Sequence, residues 1–88
     1  MNNIKKVSGC VTVTMEKGVL SLEGLQVDTN ISNGIILDEI RLYAKEHKKE
    51  LNNKITIFTF DIVKAKTSKE EPEEYMFWIV DKYLIKKI

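Results

Sequence analysis

Polar and apolar residues alternate through "VSGCVTVTM", residues 7 to 15. Val7, Gly9, Val11, Val13 and Met15 share one face, and Ser8, Cys10, Thr12 and Thr14 share the other. A period of two in a stretch rich in β-branched residues predicts a half-buried strand. "EKG" at 16 to 18 signals a turn, and "VLSLEGLQV" follows. Pairing Met15 with Leu20 sets Val13 opposite Leu22 and Val11 opposite Gly24. The same register sets Thr14 opposite Ser21 and Thr12 opposite Glu23 on the other face. A slip of one residue would oppose Val13 to Ser21 and turn Glu23 inward, so the first register is expected.

"DTNISNG" at 28 to 34 is loop and cap chemistry, with Ser32 or Asn33 as N-cap. From Ile36 the period becomes helical. Ile36, Ile40, Tyr43, Ala44, His47 and Leu51 form one stripe with Leu37 at its edge, while Asp38, Arg41, Lys45, Lys48 and Lys49 fall opposite. Asn52 and Asn53 end the helix. Ile35 and Leu42 lie off the stripe as a second, smaller apolar spot.

"KITIFTFDIVKAK" at 54 to 66 is a strand by composition, but its apolar residues change faces between Ile57 and Phe58. Either both faces are covered, or a bulge lies there. "TSKEEPEE" reads as an exposed charged loop. As a helix, the C-terminal stretch would scatter Glu74, Lys82, Lys86 and Lys87 around the axis and leave no apolar face. As a strand it sets Tyr75, Phe77 and Ile79 on one side and Met76, Trp78 and Val80 on the other. Apolar on both faces, it is expected to be central in its sheet. The bulk of Ile36, Ile40 and Tyr43 on the helix favours medium-sized neighbours, which assigns Phe77 to the helix and Trp78 to the outer face. The fold class is therefore α+β: a single domain over 1–88, ordered ββαββ, with two antiparallel hairpins forming a four-stranded sheet and one helix packed on one face.

Composition narrows the function classes. Hydrophobic content of 43% with 31% charged residues is ordinary for a soluble domain. Net charge is +1, which supplies no field to steer a polyanion. Thirteen of the fourteen basic residues are Lys and only Arg41 is Arg, so the bidentate fork that reads phosphate or guanine is scarce. Lys, Ile and Asn abound, and their AT-rich codons suggest an AT-rich genome, such as that of a low-GC bacterium or its phages. A single cysteine, Cys10, excludes an internal disulfide and suits a reducing cytosol. "VSGC" has the letters of a lipoprotein box but no apolar segment before it. No apolar run approaches the ~18 residues of a membrane span. A cytoplasmic location is expected.

Candidate chemistry is thin. Cys10 with His47, the only histidine, is the one conventional nucleophile–base pair available. Each has a plainer reading, Cys10 as a small strand residue and His47 as a partly buried member of the helix stripe. Two soft ligands cannot fill a zinc tetrahedron. The glycines match no phosphate loop or dinucleotide fingerprint, and the acids at 70 to 74 lack calcium-loop spacing. No catalytic residue, metal or cofactor is expected. Lys64, Lys66, Lys82, Lys86 and Lys87 could gather at the open end of the second hairpin, with Tyr83 available for stacking on a nucleic acid. Strand lysines, however, also serve to solubilise a surface and guard an edge.

One helix covers one face of a four-stranded sheet. The C-terminal hairpin is apolar on both faces, whereas Thr12, Thr14, Ser21 and Glu23 make the N-terminal hairpin's second face polar. About half of the outer face is thus expected to be apolar and uncovered, the mark of an association surface. Its expected residues are Ile35, Leu42, Met76, Trp78 and Val80, and the expected partner is a protein, either a second copy in a homodimer or another chain. The function this pattern favours is a small non-enzymatic regulator acting by occlusion; a phage-encoded inhibitor of a host enzyme or defence system is one instance. The alternatives are a nucleic-acid-binding accessory protein and a dimer that sequesters a small ligand.

Overall fold

The structure, a computed structural model, describes residues 5–28, 31–65 and 74–88. The elements are β1 (Lys5–Glu16), β2 (Val19–Val27), α1 (Asn33–Glu46), a single helical turn α2 (Lys48–Leu51), β3 (Lys54–Ala65) and β4 (Glu74–Lys87). All strands are antiparallel in one sheet of order β2-β1-β3-β4, the ββαββ arrangement of an α+β fold. Most of the segment read as a charged loop, residues 67 to 74, lies outside the described residues, as does Lys66.

The β1–β2 hairpin turns through Lys17 and Gly18, both at positive φ. Two consecutive left-handed residues suit the twist of the flanking strands. The side-chain oxygens of Asn53 and Asn52 accept from the Lys17 and Gly18 amides, which ties this turn to the α2–β3 connection. The pairs Met15–Leu20, Val13–Leu22, Thr14–Ser21 and Thr12–Glu23 form as the alternation demands. Beyond them the register shifts by one residue, and Cys10 pairs with Gln26. Gly24, at φ 66°, takes the left-handed turn that the bulge requires. Without the shift, Leu25 would oppose Cys10 on the outer face. With it, Leu25 packs against the core.

Ser32 caps α1, its hydroxyl accepting from the Gly34 amide. Ile36, Ile40 and Ala44 are buried, and Leu37 and Tyr43 pack beside them. The helix does not run unbroken to Asn52. At His47 (φ −116°) the path bends, and Glu50 and Leu51 donate to the His47 carbonyl to start the extra turn. The His47 ring stacks on Tyr43 with centroids 4.0 Å apart, and Nδ1 lies 2.9 Å from the Tyr43 carbonyl. A carbonyl only accepts, so Nδ1 carries the proton in this bond. The bend swings Leu51 into the core, where it is buried.

The core lies between α1 and the inner sheet face. Val11, Val13 and Met15 of β1 and Phe58, Phe60 and Ile62 of β3 are all at or below 2% exposed. β3 runs without a break against β1, so the change of faces at Ile57 and Phe58 reflects no bulge in β3. Ile55 and Ile57 instead point outward and are half-buried. The irregularities fall in β4, where Val80 and Ile85 are extra residues opposite β3. One expectation is overturned: β4 is not central. β1 binds both β2 and β3, so the second hairpin joins the sheet through β3 and leaves β4 on the edge.

Candidate association surface

β4 pairs on one side only, and its fourteen residues run along nearly the whole 48 Å length of the molecule. Its register against β3 fixes the faces. Phe77 opposes Ile62, Ile79 opposes Phe60, Lys82 opposes Phe58 and Leu84 opposes Thr56, all on the helix side. Met76 opposes Val63, Trp78 opposes Asp61, Asp81 opposes Thr59 and Tyr83 opposes Ile57, all on the outer side. Phe77 and Ile79 pack against the core, and Phe77 stacks on Phe60 at 5.1 Å. Tyr75, Met76, Trp78, Val80, Tyr83, Leu84 and Ile85 are each between 39% and 62% exposed. An edge strand with this many open apolar side chains is a template for pairing.

The five residues expected at the surface all border this strand, on two sides of it. Leu42 and Trp78 line one narrow groove between α1 and β4, together with Tyr43, Phe77 and Ile79. Ile35 lines a second, with Tyr75 and Phe77. Met76 is on the outer side, as is Val80, which shares a shallow depression with Ser8, Cys10 and Thr59. The surface therefore wraps around the edge. Tyr83, Leu84 and Ile85 extend the apolar row beyond what the sequence suggested. The two bulges hid them, because strict alternation puts Asp81 to Leu84 on the wrong faces until the second bulge restores it at Lys86.

The charged groups near the strand are largely engaged. The Lys82 ammonium lies 3.3 Å from the Glu50 carboxylate and 5.4 Å from the Tyr43 ring centre. Its pKa is raised, first by a hydrogen bond with the Tyr43 hydroxyl and then by Glu50, against some desolvation. The Tyr83 hydroxyl is also raised, chiefly by its hydrogen bond to the Asp81 carboxylate. Asp61 is only 7% exposed although it lies on the outer face. The Ser8 hydroxyl donates to it at 2.6 Å and Lys6 Nζ sits 3.1 Å away, which together hold its carboxyl below the ordinary range. An acid in the middle of an apolar strand was the available sequence signal for this cluster.

The other candidates are not assembled. The nucleic-acid set requires a correction. Lys64 pairs with Tyr75 at one end of the hairpin, whereas Lys86 and Lys87 pair with Ile55 and Lys54 at the other. Nine residues of β3 separate these ends, about 30 Å at the rise of a strand. Lys66 lies outside the described residues, and Lys82 is turned to Glu50. Cys10 and His47 do not meet either. Cys10 is on the outer side opposite Thr59, where its thiol approaches Gln26, while His47 stacks on Tyr43 across the sheet. Among the described residues no three metal-ligating side chains cluster, and no helix is long and apolar enough to cross a membrane. Comparison with family models, curated proteins and solved structures finds no match to this chain.

Proposed function

We propose that this chain is a non-enzymatic regulatory module that acts by protein–protein association, with β4 and its two flanks as the contact surface. One observation carries the reading: seven apolar side chains are exposed along a single edge strand, which pairs on one side only. Such a row, flanked by Leu42 and Ile35 on the helix, exceeds the scattered exposed apolar residues of an ordinary surface. Tyr and Trp, three of the seven, are the residues that most often anchor interfaces. A module of this kind regulates by covering a partner's surface, and inhibition of a host enzyme by a phage-encoded protein is one setting that suits it. A single cysteine, which has no partner in the chain for a disulfide, fits a cytoplasmic site of action.

The test is affinity capture from the native cell by the wild-type protein and by a Met76→Lys/Tyr83→Lys variant, read by mass spectrometry. A partner recovered by the first and lost by the second supports the reading. Equal recovery by both removes β4 from the contact.

A further inference from the structure

We infer that β4 pairs antiparallel with β4 of a second copy, joining two four-stranded sheets into one of eight strands. This rests on reading β4 as an association surface and names the occupant of that surface.

The two edges of the sheet are unlike. β2 is short, is kinked at Gly24, and among its residues only Val19 is a widely exposed large apolar side chain. These are the devices that keep an edge unpaired. From Tyr75 to Val80, β4 carries no lysine, proline or glycine, and the lysine that follows is turned toward Glu50.

Two-fold symmetry about the strand's middle satisfies the faces. A two-fold axis normal to the sheet brings like face to like face. Val80 and Asp81 together oppose the single residue Thr59, so they count as one position of the strand. With the axis at this position, Ile79 falls opposite the partner's Lys82, Trp78 opposite the partner's Tyr83 and Phe77 opposite the partner's Leu84. Each pair shares a face: the first and third lie on the helix side and the second lies outside. Had β4 lacked the bulge, no such centre between Val80 and Asp81 would match the faces.

Charge selects the antiparallel sense. The strand begins with Glu74 and ends with Lys86 and Lys87. Antiparallel pairing sets the acidic start of each copy beside the basic end of the other, and parallel pairing would set lysine against lysine. The area is adequate. Aromatic side chains carry about 150–250 Å² each, so seven apolar side chains about half exposed free several hundred Å². That is the order of the ~800 Å² per partner of a standard interface.

Sedimentation equilibrium of the full chain over a micromolar concentration series provides the test. The expected result is a dimer whose dissociation constant rises about tenfold or more in Met76→Lys/Tyr83→Lys, with an unchanged circular dichroism spectrum. Orientation is read in a Cys10→Ser background. Trp78→Cys/Tyr83→Cys should oxidise to a covalent dimer, while neither single cysteine should. A dimer unaffected by the lysines, or one that cross-links through a single cysteine, overturns the pairing. A wild-type monomer at every concentration also overturns it; if that monomer still captures a partner through Met76 and Tyr83, the association reading of β4 survives, and if it captures none, both fall.

Discussion

Gly9 and Phe60 face each other across β1 and β3 with no room between them: a methyl group on Gly9 would lie 2.6 Å from the Phe60 ring and 2.7 Å from the Gln26 carbonyl. The ring is 1% exposed and stacks on Phe77, and the carbonyl belongs to the backbone of β2. Neither can withdraw cheaply. Gly9→Ala is expected to destabilise the fold by about 1–3 kcal/mol, the usual cost of overpacking. A chemical-denaturation midpoint equal to that of the wild type would mean that β1 shifts freely at this position.

Phe77 and Trp78 are adjacent in β4 and should fail differently. Phe77 packs on the core, so Phe77→Ala is expected to cost up to about 3 kcal/mol, less than a fully buried phenylalanine because Phe77 is only half-covered. Trp78 projects from the outer face, and Trp78→Ala should leave the thermal transition nearly unmoved while weakening association. Calorimetry beside light scattering separates the two. Unfolding by Trp78→Ala with only an association change from Phe77→Ala would reverse the faces.

Asp61 couples stability to acid. Its carboxyl is held low first by the Ser8 hydroxyl, then by Lys6. A group whose pKa is lower folded than unfolded contributes stability above the unfolded value, about 3.9 for Asp, and loses it as pH falls through the folded one. Stability should therefore drop below about pH 4, and the drop should be shallower in Ser8→Ala. A variant with the same acid limb as the wild type would detach Ser8 from this effect.

Cys10 is expected to be silent. It is half-buried on the outer face, its one polar approach among the described residues is the weak one to Gln26 at 3.9 Å, and the sheet separates it from His47. Cys10→Ser should change stability by less than about 0.5 kcal/mol and leave partner capture intact. Loss of capture with the fold preserved would make the thiol part of the surface.

Much of this fold was written in local pattern. The period of two in β1, the turn at Lys17 and Gly18, and the opposition of Glu23 to Thr12 fix the first hairpin, because a one-residue slip would turn Ser21 and Glu23 toward the core. The helical stripe from Ile36 to Ala44 fixes which side of α1 is buried. The apolar character of Met76, Trp78 and Val80 likewise announced a surface with no second layer over it. What the pattern could not supply was the position of β4. Central or edge placement depends on which strand takes the second side of β1, and that is settled by contacts between segments nearly fifty residues apart, such as Val11 with Phe58. The bulges at Gly24, Val80 and Ile85 were equally hidden. Each relieves a mismatch between two strands, so no single strand shows it. Bulges decide where Leu25, Tyr83 and Leu84 point, and thereby how far the exposed row extends along the edge. The cover over Asp61 has the same origin: Ser8 and Lys6 reach it only because β1 and β3 pair in one register.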